Sequence, residues 1–258
     1  MFKKLQGILD RFEISIAEAN DLVVLQDYEM VVIADDSGSM LNNSLPPEMR
    51  VLGAPYKTRW DELKETVAEI VEIASCFDES GVDVFFLNRP AVLGVRHATD
   101  HSFTSSFAAP PRGTTPLTET LQRVAQKTAG ERPVLLFILT DGEPNGGKGP
   151  FTAALKQLVA ADRPNKLRVQ IMACTADSAE VGWLNQVDEE LAEVDVTDDY
   201  VSEKQEVMNA GRVAKFTRGD WCMKAMLGPV SSKFDAWDER AQGAFNDQAD
   251  CGIACALM

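Results

Sequence analysis

Residues 30–40 read MVVIADDSGSM. An apolar run, Met30 to Ala34, drives without interruption into Asp35-Asp36-Ser37-Gly38-Ser39. Such a run, stopped by turn-forming residues, is the pattern of a strand buried on both faces, the kind found in parallel sheets. A strand is expected over residues 29–34. Its end is crowded with carboxylates and hydroxyls, and Gly38 permits the backbone to bend between them. Three readings compete for the crowding: a turn, a helix cap or a metal site.

Working outward, three more apolar runs have strand character: VDVFFLN (82–88), PVLLFILT (133–140) and LRVQIMACT (167–175). AEVDVTD (192–198) reads as a short last strand. Between them lie helical patterns at TRWDELKETVAEIVEIASCF (58–77), TPLTETLQRVAQKT (115–128) and AEVGWLNQVDEEL (179–191). Apolar strands alternating with amphipathic helices predict an α/β fold with a doubly wound, mostly parallel sheet. In such sheets ligands bind beyond the carboxyl ends of the strands, so the loops after residues 34, 88 and 140 are expected on one face. Three parts are expected: an N-terminal amphipathic helix within 1–27, a domain over 28–202, and a helical C-terminal extension over 203–258 packed on it. Phe2, Leu5, Ile8, Leu9, Phe12 and Ile16 mark the stripe of one helix over 2–19. Lys3, Lys4 and Arg11 leave a membrane-surface role as its alternative.

Composition narrows the partners. Acidic residues number 40 against 25 basic ones, a net charge of −15. Nucleic acid and anionic lipid are therefore not expected partners, because phosphate contact needs clustered cations. Divalent cations and basic proteins remain compatible. The five cysteines are scattered without a C-x-x-C pair, and there are two histidines, His97 and His101. Neither a zinc site nor a disulfide framework is expected. Charges interrupt the apolar stretches of the first twenty residues, which do not read as a signal peptide. The expected setting is a reducing cytoplasm.

Oxygen ligands recur on the three loops of the expected ligand face. Asp35, Ser37 and Ser39 have period-two spacing in a tight turn. Arg112-Gly113-Thr114-Thr115-Pro116-Leu117 opens a helix, and Thr140-Asp141-Gly142 follows the third long strand. Carboxylates, hydroxyls and water suit Mg²⁺ or Mn²⁺. D-x-S-x-S after a buried strand, threonine in a G-T-P-L-like turn and T-D-G after a later strand resemble the von Willebrand factor A (VWA) domain. Residues 28–200 carry the resemblance; DDSGSM, FDESGVDVFFLN and LTDGEP are especially similar to intracellular single-domain members. The resemblance implies a metal-ion-dependent adhesion site (MIDAS) holding Mg²⁺, with Mn²⁺ or Ca²⁺ as alternatives. Ser37 and Ser39 would bind directly, and Thr115 directly or through water. Asp35 and Asp141 would act mostly through water or hydrogen bonds. Thr115 is chosen over Thr114 because it precedes Pro116. Asp36 falls on the wrong parity.

Neutral hydroxyls leave a dication electrophilic, so it can take an outside carboxylate. The expected function is protein binding, with a partner's Asp or Glu completing the coordination, and no enzymatic activity. The alternatives are a scaffold that binds without metal, a regulatory partner of an ATPase, and a metal-dependent hydrolase, which lacks a placed general base.

Other signals are weaker. Gly142 to Lys148 fits G-x-x-x-x-G-K, but Gly149 stands where a P-loop needs Ser or Thr, so a flexible loop is expected. Arg218-Gly219-Asp220 is an adhesion tripeptide, with Asp220 better read as a helix N-cap. Asp195, Asp198 and Asp199 read as a solvated rim, and Trp60 and Trp183 as helix-face core. Cys255-Ala256-Leu257-Met258 fits a prenylation signal, which makes Cys255 a candidate for lipidation and Cys251 a candidate palmitoyl acceptor. Membrane association is expected only if Cys255 is prenylated.

Overall fold

A computed structural model describes residues 2–45, 50–53, 55–128, 130–161, 166–175, 177–211, 213–235 and 237. Its centre is a six-stranded sheet. In chain order the strands are β1 (Glu29–Ala34), β2 (Val82–Phe86), β3 (Val92–Val95), β4 (Val134–Thr140), β5 (Leu167–Ala173) and β6 (Val194–Thr197). Across the sheet the order is β3-β2-β1-β4-β5-β6. All neighbours are parallel except β2 and β3, which form an antiparallel edge pair. The fold is the predicted doubly wound α/β sheet. The chain returns to the middle after β3, so β1 and β4, adjacent in the sheet, have their crossovers on opposite sides. A crevice opens beyond their carboxyl ends at such a switch point.

The helices are α1 (Phe2–Phe12), α2 (Ile16–Ala19), α3 (Arg59–Ala74), α4 (His101–Ser106), α5 (Leu117–Lys127), α6 (Lys148–Val159), α7 (Ser178–Val181), α8 (Trp183–Glu190), α9 (Tyr200–Ala210), α10 (Arg218–Leu227) and α11 (Ser232–Asp235). Alternate strand residues bury opposite faces. Met30, Val32 and Ala34 join Leu135, Phe137 and Leu139 under α1, α3, α4 and α10. Val31 and Ile33 join Leu136 and Ile138 under α5, α6 and α8. This two-sided burial is why β1 and β4 are apolar at nearly every position.

The structure corrects several expectations. The single N-terminal helix stops at Phe12: Glu13 has a positive φ of 57°. Ser15 then starts α2 with a capping box, accepting from the Glu18 amide while Glu18 accepts from the Ser15 amide. Ile16, expected on the buried stripe, is 73% exposed, and Ile14 is buried instead. The tight neighbour is Gly219 of α10, where a Cβ would lie 2.0 Å from the Phe12 carbonyl oxygen. Periodicity did not predict β3, α4 or α6. The expected flexible loop ends at Lys148, the first residue of α6, whose first turn holds Pro150. Asp220 is not the N-cap of α10; Thr217 is, and Asp220 closes its capping box from the third position.

Asp195 is not on a solvated rim. It is buried on β6 beside Lys224 of α10 and Glu203 of α9, both also buried. Lys224 Nζ lies 3.3 Å from Glu203 Oε1 and 3.7 Å from Asp195 Oδ1. Asp199 is part-buried and caps α9 by accepting from the Val201 and Ser202 amides. Trp60 is core, packed 4.9 Å from Phe107 between ring centroids. Cys251 and Cys255 lie outside the described residues. Among the described residues no helix is long and apolar enough to cross a membrane.

Candidate metal centre

Asp35 follows β1 and Asp141 follows β4, so the two carboxylates stand at the switch point, on adjacent strands. Both are buried. Asp35 spends each oxygen on a hydrogen bond from a neighbour. Oδ1 accepts from the Ser37 amide at 2.8 Å, and Oδ2 accepts from the Thr140 hydroxyl at 2.7 Å. Burial pushes its carboxyl up to about 6, with the charge of Asp141 adding and the bonds from Ser37 and Thr140 opposing.

The hydroxyls form a chain leading from this pair. Ser37 Oγ lies 3.0 Å from Ser39 Oγ, and the Ser39 hydroxyl donates to Asp141 Oδ1 at 2.8 Å. Ser37 is buried and Ser39 is exposed, so the chain opens toward solvent at Ser39. Asp141 Oδ2 faces a different partner. Arg59 Nη1 donates to it at 2.8 Å, and Arg59 Nη2 lies 2.8 Å from Glu180 Oε2 on α7. The Glu180 contact is an ion pair too poorly aligned to be a hydrogen bond. Burial works against the Arg59 charge, but Asp141 and Glu180 outweigh it and hold the guanidinium more firmly protonated than usual.

Asp36 stitches loops together. Its Oδ1 accepts from the Asn88 amide at 2.7 Å and its Oδ2 from Arg89 Nε at 2.7 Å. Arg89 reaches on to the carbonyls of Ser106, Ala109 and Pro110 and covers the Trp60 ring. The 112–116 loop is tied to the β1 loop by Arg112 N–H to the Asp36 carbonyl at 2.8 Å and Gly38 N–H to the Gly113 carbonyl at 3.1 Å. Gly113 has φ of 110°, and a Cβ there would lie 2.5 Å from Asn88 Oδ1, so the close approach requires glycine. The loops after β1, β2 and β4 thus meet on one face.

Asp35, Ser37, Ser39 and Asp141 are joined in one network. Thr115 is brought to the same face through its loop, but its hydroxyl makes no hydrogen bond among the described residues. Thr114 is spoken for: its hydroxyl accepts from Asn145 Nδ2 at 2.9 Å. Asn145 also accepts from the Thr115 amide and donates its own amide to the Thr115 carbonyl. His97 and His101 lie at the β3–α4 edge, where exposed His101 is near the Ser105 hydroxyl. Cys174 is buried near the site, and burial with the charges of Asp141 and Asp35 pushes its thiol well up.

The residues missed from sequence are Arg59 and Glu180; Thr140 stood in the T-D-G run but was given no role of its own. A signal for Arg59 existed. It is the first residue of α3, where a cation opposes the helix dipole. A basic residue in that place points to a specific carboxylate partner.

No protein-family model matches the chain, and a search of curated proteins finds no significant match. Among the described residues no three His, Cys, Asp or Glu side chains cluster to hold a metal. A metal here would depend on hydroxyls. The spacing suits one: metal–oxygen bonds of about 2.1 Å set neighbouring ligands of an octahedron about 3 Å apart. The Ser37–Ser39 and Ser39–Asp141 separations, 3.0 and 2.8 Å, are of that length.

Proposed function

We propose that the chain is a VWA-like module that binds a protein partner through a divalent cation. Ser37, Ser39 and Thr115 hydroxyls would hold the ion, with Asp141 Oδ1 beside them. Asp35 would fix the turn, because both its oxygens already accept from Ser37 and Thr140. The bound ion would supply an electrophile for an Asp or Glu carboxylate of the partner, completing a coordination sphere left short of charge by neutral hydroxyls. One observation carries this reading: the Ser37–Ser39–Asp141 oxygen chain, at the switch point, with an exposed end.

The test is affinity capture from a lysate with Mg²⁺, repeated with EDTA and with Asp35→Ala. Loss of the same captured protein under both changes supports the reading. Capture that survives chelation sinks it and favours a metal-independent scaffold. A specific observation speaks for that second reading: Arg59 already gives Asp141 a cationic partner, and the cluster's hydrogen bonds close without an ion. A cytoplasmic setting, and membrane association only through a lipid on Cys255, belong to the same proposal.

A further inference from the structure

Arg59 is the unexplained part of the centre. It is buried, it sits in the turn of a helix where a cation is disfavoured, and it uses a guanidinium nitrogen on Asp141. Its effect on Asp141 is geometric. Oδ1 faces the Ser39 hydroxyl and Oδ2 is held by Arg59 Nη1, each at 2.8 Å. Arg59 cannot easily yield, because Glu180 Oε2 holds its other nitrogen at 2.8 Å and its side chain is 6% exposed. Asp35 is equally committed through Ser37 and Thr140. Neither carboxylate can turn both oxygens toward a shared ion.

That restriction separates two ions. Ca²⁺ takes six to eight oxygens at about 2.3–2.6 Å and commonly gains them from bidentate carboxylates. Mg²⁺ takes six at about 2.0–2.1 Å and is content with single oxygens and water. We propose, resting on the reading of this cluster as a metal centre, that Arg59 sets the ion the site accepts. Tied to Glu180, it occupies Asp141 Oδ2, denies the site a bidentate carboxylate and selects Mg²⁺ against Ca²⁺. Its positive charge also weakens attraction for any dication, so its removal tightens both ions and Ca²⁺ more.

The experiment is calorimetric titration of the full chain, stripped with EDTA and dialysed, with MgCl₂ and CaCl₂ separately at fixed ionic strength. The wild type is expected to prefer Mg²⁺ by about tenfold or more in Kd. In Arg59→Met, which keeps the bulk and frees Asp141 Oδ2, the preference is expected to fall to about threefold or less, through tighter Ca²⁺. If near-ultraviolet circular dichroism finds Arg59→Met unfolded, Arg59→Lys takes its place. One ammonium cannot hold both Asp141 and Glu180 as the guanidinium does, so the preference falls there too. Wild type that binds Ca²⁺ as tightly as Mg²⁺ overturns the role of Arg59 while leaving a metal centre standing. So does a folded variant with unchanged preference. Wild type that binds neither ion overturns the metal centre itself, and this role with it.

Discussion

Asp35 is a carboxylate enclosed by the ends of two strands, and its titration is the most direct probe of the centre. In metal-free protein its folded value is about 6, against an ordinary 3.8. A raised carboxyl contributes stability that is present below 3.8 and lost as pH rises through 6. Urea denaturation in EDTA between pH 4 and 7 should therefore give a wild type that loses, relative to Asp35→Asn, on the order of 2–3 kcal/mol. Parallel profiles for the two proteins would contradict the burial argument. Mg²⁺ should restore the loss near neutral pH, because a dication favours the charged carboxylate. The position of Asp35 was legible in the sequence from the apolar run before it. Its two hydrogen bonds were not, since Thr140 lies 105 residues away.

At the scale of elements, the α9–α10 pair is attached to the sheet by charge as well as by apolar contact. Lys224 reaches into the sheet edge between Glu203 and Asp195, and its Nζ also approaches the Val196 carbonyl at 3.5 Å. Gly228, at the end of α10, leaves room for Asp195, since a Cβ there would lie 2.2 Å from Asp195 Oδ2. Removing one member of a buried ionic group leaves the others without compensation. Lys224→Met should cost about 3–5 kcal/mol in chemical denaturation. A loss under about 1 kcal/mol would mean that apolar contacts alone hold these helices. The residue types gave no warning. An aspartate between two valines on a short edge strand looks solvent-facing, and only the arrival of α10 makes that side an interior. Lys224 was equally unreadable, because a lysine in a helix is ordinarily a solvated one.

At the scale of the whole molecule, the chain carries a net charge of −15. Self-repulsion of that charge opposes folding and is screened by salt. Raising NaCl from about 10 to about 200 mM in EDTA should raise Tm by a few degrees, measured by differential scanning calorimetry. A falling Tm would place the dominant electrostatics in attractive pairs such as Arg59–Asp141 instead. The sequence by itself determined a mostly parallel sheet, because strands buried on two faces need apolar residues at both parities, as in MVVIA and VLLFILT, and helical patterns alternate with them. It also determined that the oxygen-rich turn falls at a strand's carboxyl end. Only the tertiary structure decided the partners: Asp36 with Arg89, Asp141 with Arg59, Lys224 with Asp195. Periodicity records which face a residue turns inward. It carries no record of which distant charge waits there, since that depends on how separate crossovers meet in space.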